Sequence, residues 1–397
     1  MVATLPGRTQ GLGLFTEPIR QTFDLDTETY GFLNLWATLL GGLFCFPCGW
    51  LLDRIGTRAV LVGITIALGT TVVVMSGATG AGWIRLDLLG ERSVRLPFDL
   101  FLLVLLTRGL GQSALSVASL SLIARSAGKR EGLAMGVYAF LTTAGFIAAF
   151  GVLREVIQRD PHEWRRPWAG IGVAVLVTGA LFLVLVRNRA LDAPTSAVPA
   201  VDSPASRTLA QALRSPTFWV FALATSFYGM VVAGTSLFNE KILAERGFEK
   251  EVFLNVVIVG IPAGLAANLL AGWLATRWSL GYLLAAALIV FAAALAWFPR
   301  ITREEEAYVY AVALAAAGGV ITVTFFTVWR KAFGTTHLGR IQGAAQFLTV
   351  VFSALGPLLF GSTHTRLGSF TPLFPYLAGI AGLMAIAAVL MRIPPNK

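Results

Sequence analysis

Charge is what this sequence has least of. Of its 397 residues, 31 are Lys or Arg and 21 are Asp or Glu, so 13% are charged where a soluble domain has about 25%, and 56% are hydrophobic. So few charged groups cannot cover a water-soluble core of this size, and the mean hydropathy of +0.73 agrees. A soluble enzyme and a nucleic-acid-binding domain are both excluded. Histidine is scarce too: His162, His337 and His364 are expected in loops, which argues against a proton relay through a buried imidazole. The two cysteines, Cys45 and Cys48, lie in a run too apolar for a thiol-exchange loop and read as packing residues. The phosphate-cradling G-x-x-x-x-G-K-S/T, the H-E-x-x-H zinc pair and the nucleophile elbow are all missing. The expectation is therefore no enzyme activity, no metal and no cofactor, with a gradient as the driving force. Residues 1–20 also lack the charged start, apolar stretch and small-residue site of a cleaved signal.

Long apolar runs are what the chain has instead. Eleven of spanning length fall at about 31–52, 59–78, 100–122, 132–153, 168–186, 216–236, 252–275, 279–298, 307–328, 341–362 and 373–391, each bounded by charge or by Pro, Gly and Ser. The stretch from Met1 to Ile19 is expected to supply a twelfth, although it carries Pro6, Arg8, Gln10 and Glu17. Such a helix reaches about 28 Å, barely the hydrocarbon thickness. It is either a trimmed polar helix or one that starts upstream of Met1. The segment 187–215, rich in Pro, Ala and Ser, reads as a flexible cytoplasmic linker between two bundles, residues 1–186 and 216–397.

The two halves repeat each other. At a spacing of 223 residues, Leu14, Phe15, Glu17 and Ile19 match Leu237, Phe238, Glu240 and Ile242. With no gap, Gly41, Gly49, Trp50, Leu51, Arg54 and Leu61 match Gly264, Gly272, Trp273, Leu274, Arg277 and Leu284. Past the third helix the spacing is 207, where Gly132, Gly136 and Phe140 meet Gly339, Gly343 and Phe347; an inserted polar loop around 79–99 accounts for the change. Two homologous six-helix bundles imply a secondary transporter with its site at the repeat interface near the midplane. Basic residues are almost equally shared between the two sides, so the positive-inside rule does not orient the chain.

Residues 49–61, GWLLDRIGTRAVL, resemble the loop signature of the major facilitator superfamily, carried here by Gly49, Leu51, Asp53, Arg54, Gly56 and Arg58. A degraded copy stands at Gly272, Leu274 and Arg277, with Thr276 in place of the Asp. The resemblance implies an all-α integral membrane protein of twelve helices. It also implies a conformational gate at this loop, and an inner-membrane location with both termini cytoplasmic. Within the superfamily, PGRTQGLGLFTEPI, LAERGFEKE and the run from FGTTHLGRIQG to FTPLF are similar to the oxalate/formate and monocarboxylate branch. Members of that branch often carry an Arg as carboxylate anchor where this chain has Asn268.

A charged side chain at the bilayer centre costs about 2.5–3.5 kcal/mol, so each is a functional candidate. Arg8, roughly 15–18 Å deep by helical rise, and Arg108, about nine residues into the fourth helix, both qualify. No midplane acid is in view to neutralise them, which points to an anionic substrate; a packing or gating role for Arg108 and a frayed helix start for Arg8 are the alternatives. Gln112 lies one turn from Arg108 and faces the same way. Gln10, Asn34, Trp36, Tyr138, Tyr228, Asn268, Gln346 and Thr349 are further contacts, each equally able to glue helices together. If protons are coupled, Glu17 and Glu240 must carry them, although loop-edge exposure suits both. The expected function is secondary transport of a small organic anion, a monocarboxylate, by a monomer whose other partners are membrane lipids. A neutral-solute or drug carrier and a non-transporting sensor are the rivals.

Overall fold

The structure is a computed structural model that describes residues 1–87, 93–127, 130–159, 163–186, 206–391 and 393. Its helices run in chain order as α1 (Thr9–Gly13), α2 (Thr16–Thr22), α3 (Thr27–Gly42), α4 (Cys45–Ile55), α5 (Thr57–Ser76), α6 (Phe98–Thr107), α7 (Ser116–Ser126), α8 (Glu131–Arg159) and α9 (Arg165–Leu185). The second half continues with α10 (Leu209–Leu213), α11 (Pro216–Ala244), α12 (Lys250–Leu274), α13 (Leu280–Trp297), α14 (Glu304–Phe333), α15 (Leu338–Leu367) and α16 (Leu373–Leu390). Among the described residues eleven helical stretches are long and apolar enough to cross a membrane, and they coincide with the eleven runs read from the sequence.

The structure corrects two local expectations, on the N-terminal stretch and on His364, and adds detail to two others. The stretch from Met1 to Ile19 is not one helix: a 3-10 turn (Val2–Gly7), α1 and α2 replace it, with Arg8 extended between the first two pieces. Pro6 lacks an amide donor, and Gly7, Gly11 and Gly13 lower helix propensity, so a continuous ladder gives way to short turns. The first apolar run breaks at Leu43 and Phe44, leaving α3 and α4 in series. The inserted loop contains an antiparallel hairpin, β1 (Trp83–Asp87) with β2 (Ser93–Pro97), and the Asp99 carboxylate accepts from the Thr79 and Gly80 amides at its base. His364 lies within α15 rather than in a loop, His337 lies in the turn before that helix as expected, and His162 lies outside the described residues. The linker is described only from Ser206, where Thr208 and Gln211 form a capping box at the start of α10.

Two compact units emerge. One holds Met1–Leu122, Ala144–Pro199 and Gln342–Val350; the other holds Ile123–Thr143, Ala200–Ile341 and Val351–Lys397. In the first, Phe15 meets Trp168 edge-on at 5.0 Å within a core that includes Leu33, Leu68, Leu100 and Val117. In the second, Phe298 stacks on Phe374 at 4.2 Å amid Tyr310, Phe360 and Leu377. Lipid tails are as apolar as Leu, so helices associate through close packing of small residues. Gly69 against Gly172, on α5 and α9, shows this: a Cβ on either would stand about 3.0 Å from the other's carbonyl oxygen. Cys45 and Cys48 are buried free thiols, and Cys48 Sγ donates to the Ala114 carbonyl at 3.2 Å.

The repeat found in the sequence has a structural counterpart. In the second unit, a Cβ on Gly136 would lie 2.8 Å from Gly272 Cα. In the first, a Cβ on Gly343 would lie 3.8 Å from Gly49 Cα and 2.5 Å from the Cys45 carbonyl oxygen. Gly49 corresponds to Gly272 and Gly136 to Gly343, so the same glycine crossing is made twice with the roles of the halves exchanged.

Candidate functional site

The site is built on an interruption of the fourth spanning stretch. Between α6 and α7, Arg108–Leu115 forms a π-helical segment, RGLGQSAL, in which Gly109 and Gly111 let neighbouring elements close in. Such segments widen the helix and recur at functional positions. A Cβ on Gly111 would sit 3.0 Å from Gly7 Cα, and one on Gly41 would sit 2.9 Å from the Gly109 amide nitrogen. The N-terminal turn and α3 are thereby drawn against the π segment.

Arg108 sits at the centre of this packing, 2% exposed. Its Nη2 donates to Asn34 Oδ1 at 2.8 Å, and its Nη1 to Gln112 Oε1 at 3.3 Å and to the Gly7 carbonyl at 3.5 Å. The i, i+4 relation of Arg108 and Gln112 survives the π geometry. Arg8 is half-buried beside the same segment: its Nε donates to Thr4 Oγ1 at 2.8 Å and its Nη2 to Ser116 Oγ at 3.3 Å, and its guanidinium lies 5.3 Å from the Phe146 ring centroid. Asn34 and Gln112 are neutral amides, which orient a guanidinium without cancelling its charge. The arrangement therefore sets two guanidiniums along one helical stretch, each engaged by neutral polar side chains.

The remaining candidates distribute as follows. Trp36 lies on α3, and Gln346, whose carbonyl accepts from Thr349 Oγ1 at 2.7 Å, lies on the α15 segment of the first unit. Tyr138, Tyr228 and Asn268 belong to the second unit: Tyr138 meets Phe326 at 5.7 Å, Tyr228 meets Phe291 at 5.3 Å with its hydroxyl against Gly318, and Asn268 is 5% exposed. The Gln10 side chain lies outside the described residues. Glu17 is 61% exposed and pairs with Arg20 at 2.8 Å, and Glu240 is exposed as well. In the signature loop, Gly56 adopts φ +88°, the left-handed region open to glycine, and Arg58 donates to the Leu183 carbonyl. Among the described residues no cluster of metal ligands is found.

Several interacting groups have no cue in the sequence. Ser116 is a plain helix serine until the fold places it beside Arg8. Glu131, 1% exposed at the start of α8, lies 3.7 Å from Arg330 of α14, and Ser121 Oγ donates to Gln342 Oε1 at 2.5 Å, both groups buried. A glutamate directly after Lys129 and Arg130 reads as one more loop charge.

The model of the Major Facilitator Superfamily matches residues 8–357, most of the chain. The chain belongs to that superfamily. It is a multi-pass membrane protein and a transporter rather than an enzyme, of the class that takes small-molecule substrates. A search of curated proteins finds no match. Among solved structures it resembles the Escherichia coli fucose:proton symporter FucP (13% identity, TM-score 0.71, covering 98% of this chain and 95% of that one). It also resembles the human organic anion transporter MFSD10 (14%, 0.71, 98% and 96%) and the proton:xylose symporter XylE (16%, 0.73, 98% and 93%). At these identities the likeness is one of fold.

Proposed function

We propose that this superfamily member moves a small organic anion, a monocarboxylate, by alternating access of residues 1–186 against 216–397 in the inner membrane, with both termini cytoplasmic. One observation carries the reading: Arg8 and Arg108 both pack on the segment from Arg108 to Ser116. A carboxylate held by two guanidiniums replaces neutral hydrogen bonds with charge-assisted ones. Gln112 and Asn34 then orient the ligand or hand the guanidinium over to it. The similarly folded MFSD10 is an organic anion transporter, which supports this reading.

A second reading rests on the same bonds. Asn34, Gln112 and the Gly7 carbonyl engage Arg108 on three sides, which suits an arginine that shapes the helix while amides and aromatics bind a neutral solute, as sugars are carried by FucP and XylE. Uptake into proteoliposomes over a panel of monocarboxylates, dicarboxylates and sugars separates the two. Anion uptake that falls at least tenfold in both Arg8→Ala and Arg108→Ala supports the first reading. Sugar uptake, or anion uptake indifferent to both substitutions, overturns it.

A further inference from the structure

Arg54 and Trp50 form a stacked pair, with the guanidinium carbon 4.9 Å from the ring centroid; Arg277 and Trp273 form another, at 4.1 Å. These are matching positions of the internal repeat, the Trp four residues before the Arg at the end of a spanning helix, α4 and α12 respectively. The second copy keeps Gly272 and Leu274 but loses the acid and the turn: Thr276 replaces Asp53, Ser279 replaces Gly56 and Gly281 replaces Arg58. The stacked pair persists where the turn and the acid do not, so its role is separable from theirs.

All four side chains are exposed, Trp50 at 41% and Trp273 at 44%, and the second pair is flanked by Trp278 at 54% and Tyr282 at 45%. Exposed indoles at the ends of spanning helices sit at the headgroup level of a bilayer, apolar ring inward and N–H outward. Stacking covers the flat face of each guanidinium and leaves its N–H edge, the part that takes phosphate oxygens in a forked geometry. Six candidate spans separate the two pairs, an even number, which returns the chain to the same side of the membrane. The second loop, ATRWSLG, carries no acid to offset Arg277, and the whole chain is +10.

We propose that the two Arg-on-Trp pairs are headgroup sites for anionic phospholipid, one on each half of the protein. Each indole holds the glycerol and upper acyl region while its arginine binds the phosphate. Each site is expected to prefer anionic over zwitterionic lipid by about fivefold, the increment of one basic residue at a charged surface.

Native mass spectrometry of the purified full-length protein, titrated with phosphatidylglycerol or phosphatidylcholine of identical acyl chains, tests this. The wild type is expected to retain two phosphatidylglycerol molecules in preference to phosphatidylcholine. Arg54→Gln and Arg277→Gln should each remove one, and the double variant both. Trp50→Leu with Trp273→Leu should weaken retention with the arginines intact, and Arg→Lys at both positions should restore part of it. Equal retention of the two lipids by the wild type, or a phosphatidylglycerol preference unchanged in the double arginine variant, overturns the proposal. Monodisperse elution of each variant establishes that it is folded, and if the double variant is not, the two single variants decide by the same criterion.

Discussion

Arg108 donates to Asn34 Oδ1 at 2.8 Å across 74 positions of sequence, from the π segment to the middle of α3. This bond and the one to Gln112 set where the guanidinium points, and they differ in what their loss should do. Asn34→Ala removes a hydrogen bond to a charged group, about 1.5–3 kcal/mol, and should lower anion uptake about tenfold or more. Arg108→Lys keeps a charge but loses the planar fork, and should raise KM more than it lowers kcat. Initial uptake rates against substrate concentration check both.

Gly7 faces Thr107 and Gly111 so closely that an added Cβ would overlap the Thr107 carbonyl oxygen. Gly7→Ala must therefore displace the N-terminal turn and Arg8 with it, with an overpacking cost of about 1–3 kcal/mol. The expected outcome is a lower melting temperature together with reduced uptake. Gly13→Ala meets open space and should melt as the wild type does, by intrinsic tryptophan fluorescence.

The paired glycine crossings predict matched sensitivity. Gly136→Val and Gly343→Val each drive a side chain into backbone, Asn268 O at 2.7 Å in one case and Cys45 O at 2.5 Å in the other. Each should cost about 1–3 kcal/mol and slow uptake severalfold, whereas Gly151→Val, in open space, should do neither. A melting series with transport assays on the three variants decides.

Glu131 is buried beside Arg330, which is one-quarter exposed. Removing one partner of a fully buried pair costs about 3–5 kcal/mol; with solvent reaching Arg330, about 1–3 kcal/mol is expected for Glu131→Ala. The exchange Glu131→Arg with Arg330→Glu should recover part of that loss. A double-mutant cycle on thermal stability measures the coupling, and independent, additive losses would show that the two side chains do not interact.

The spanning stretches were legible because lipid imposes a local rule: about twenty apolar residues, bounded by polar ones, wherever a helix crosses. Gln112 was legible as a neighbour of Arg108 for the same reason, since a helix places i and i+4 together. Asn34 could be named only as one polar residue among several, and Ser116, Phe146 and Glu131 not at all. Their roles depend on which helices touch, and the apolar pattern that reveals a span is nearly uniform around it.

The sequence by itself determined the class, the eleven apolar stretches, the repeat and the two arginines, all of which follow from the cost of placing charge in lipid and from residue-by-residue correspondence between the halves. Only the tertiary structure decided that the first stretch breaks around an extended Arg8, that Arg108 opens a π segment, and that Asn34 and Ser116 hold the two guanidiniums. Those outcomes depend on how closely backbones approach at Gly7, Gly41 and Gly111. That approach is set by the shapes of the packed partners, which no single segment of the chain contains.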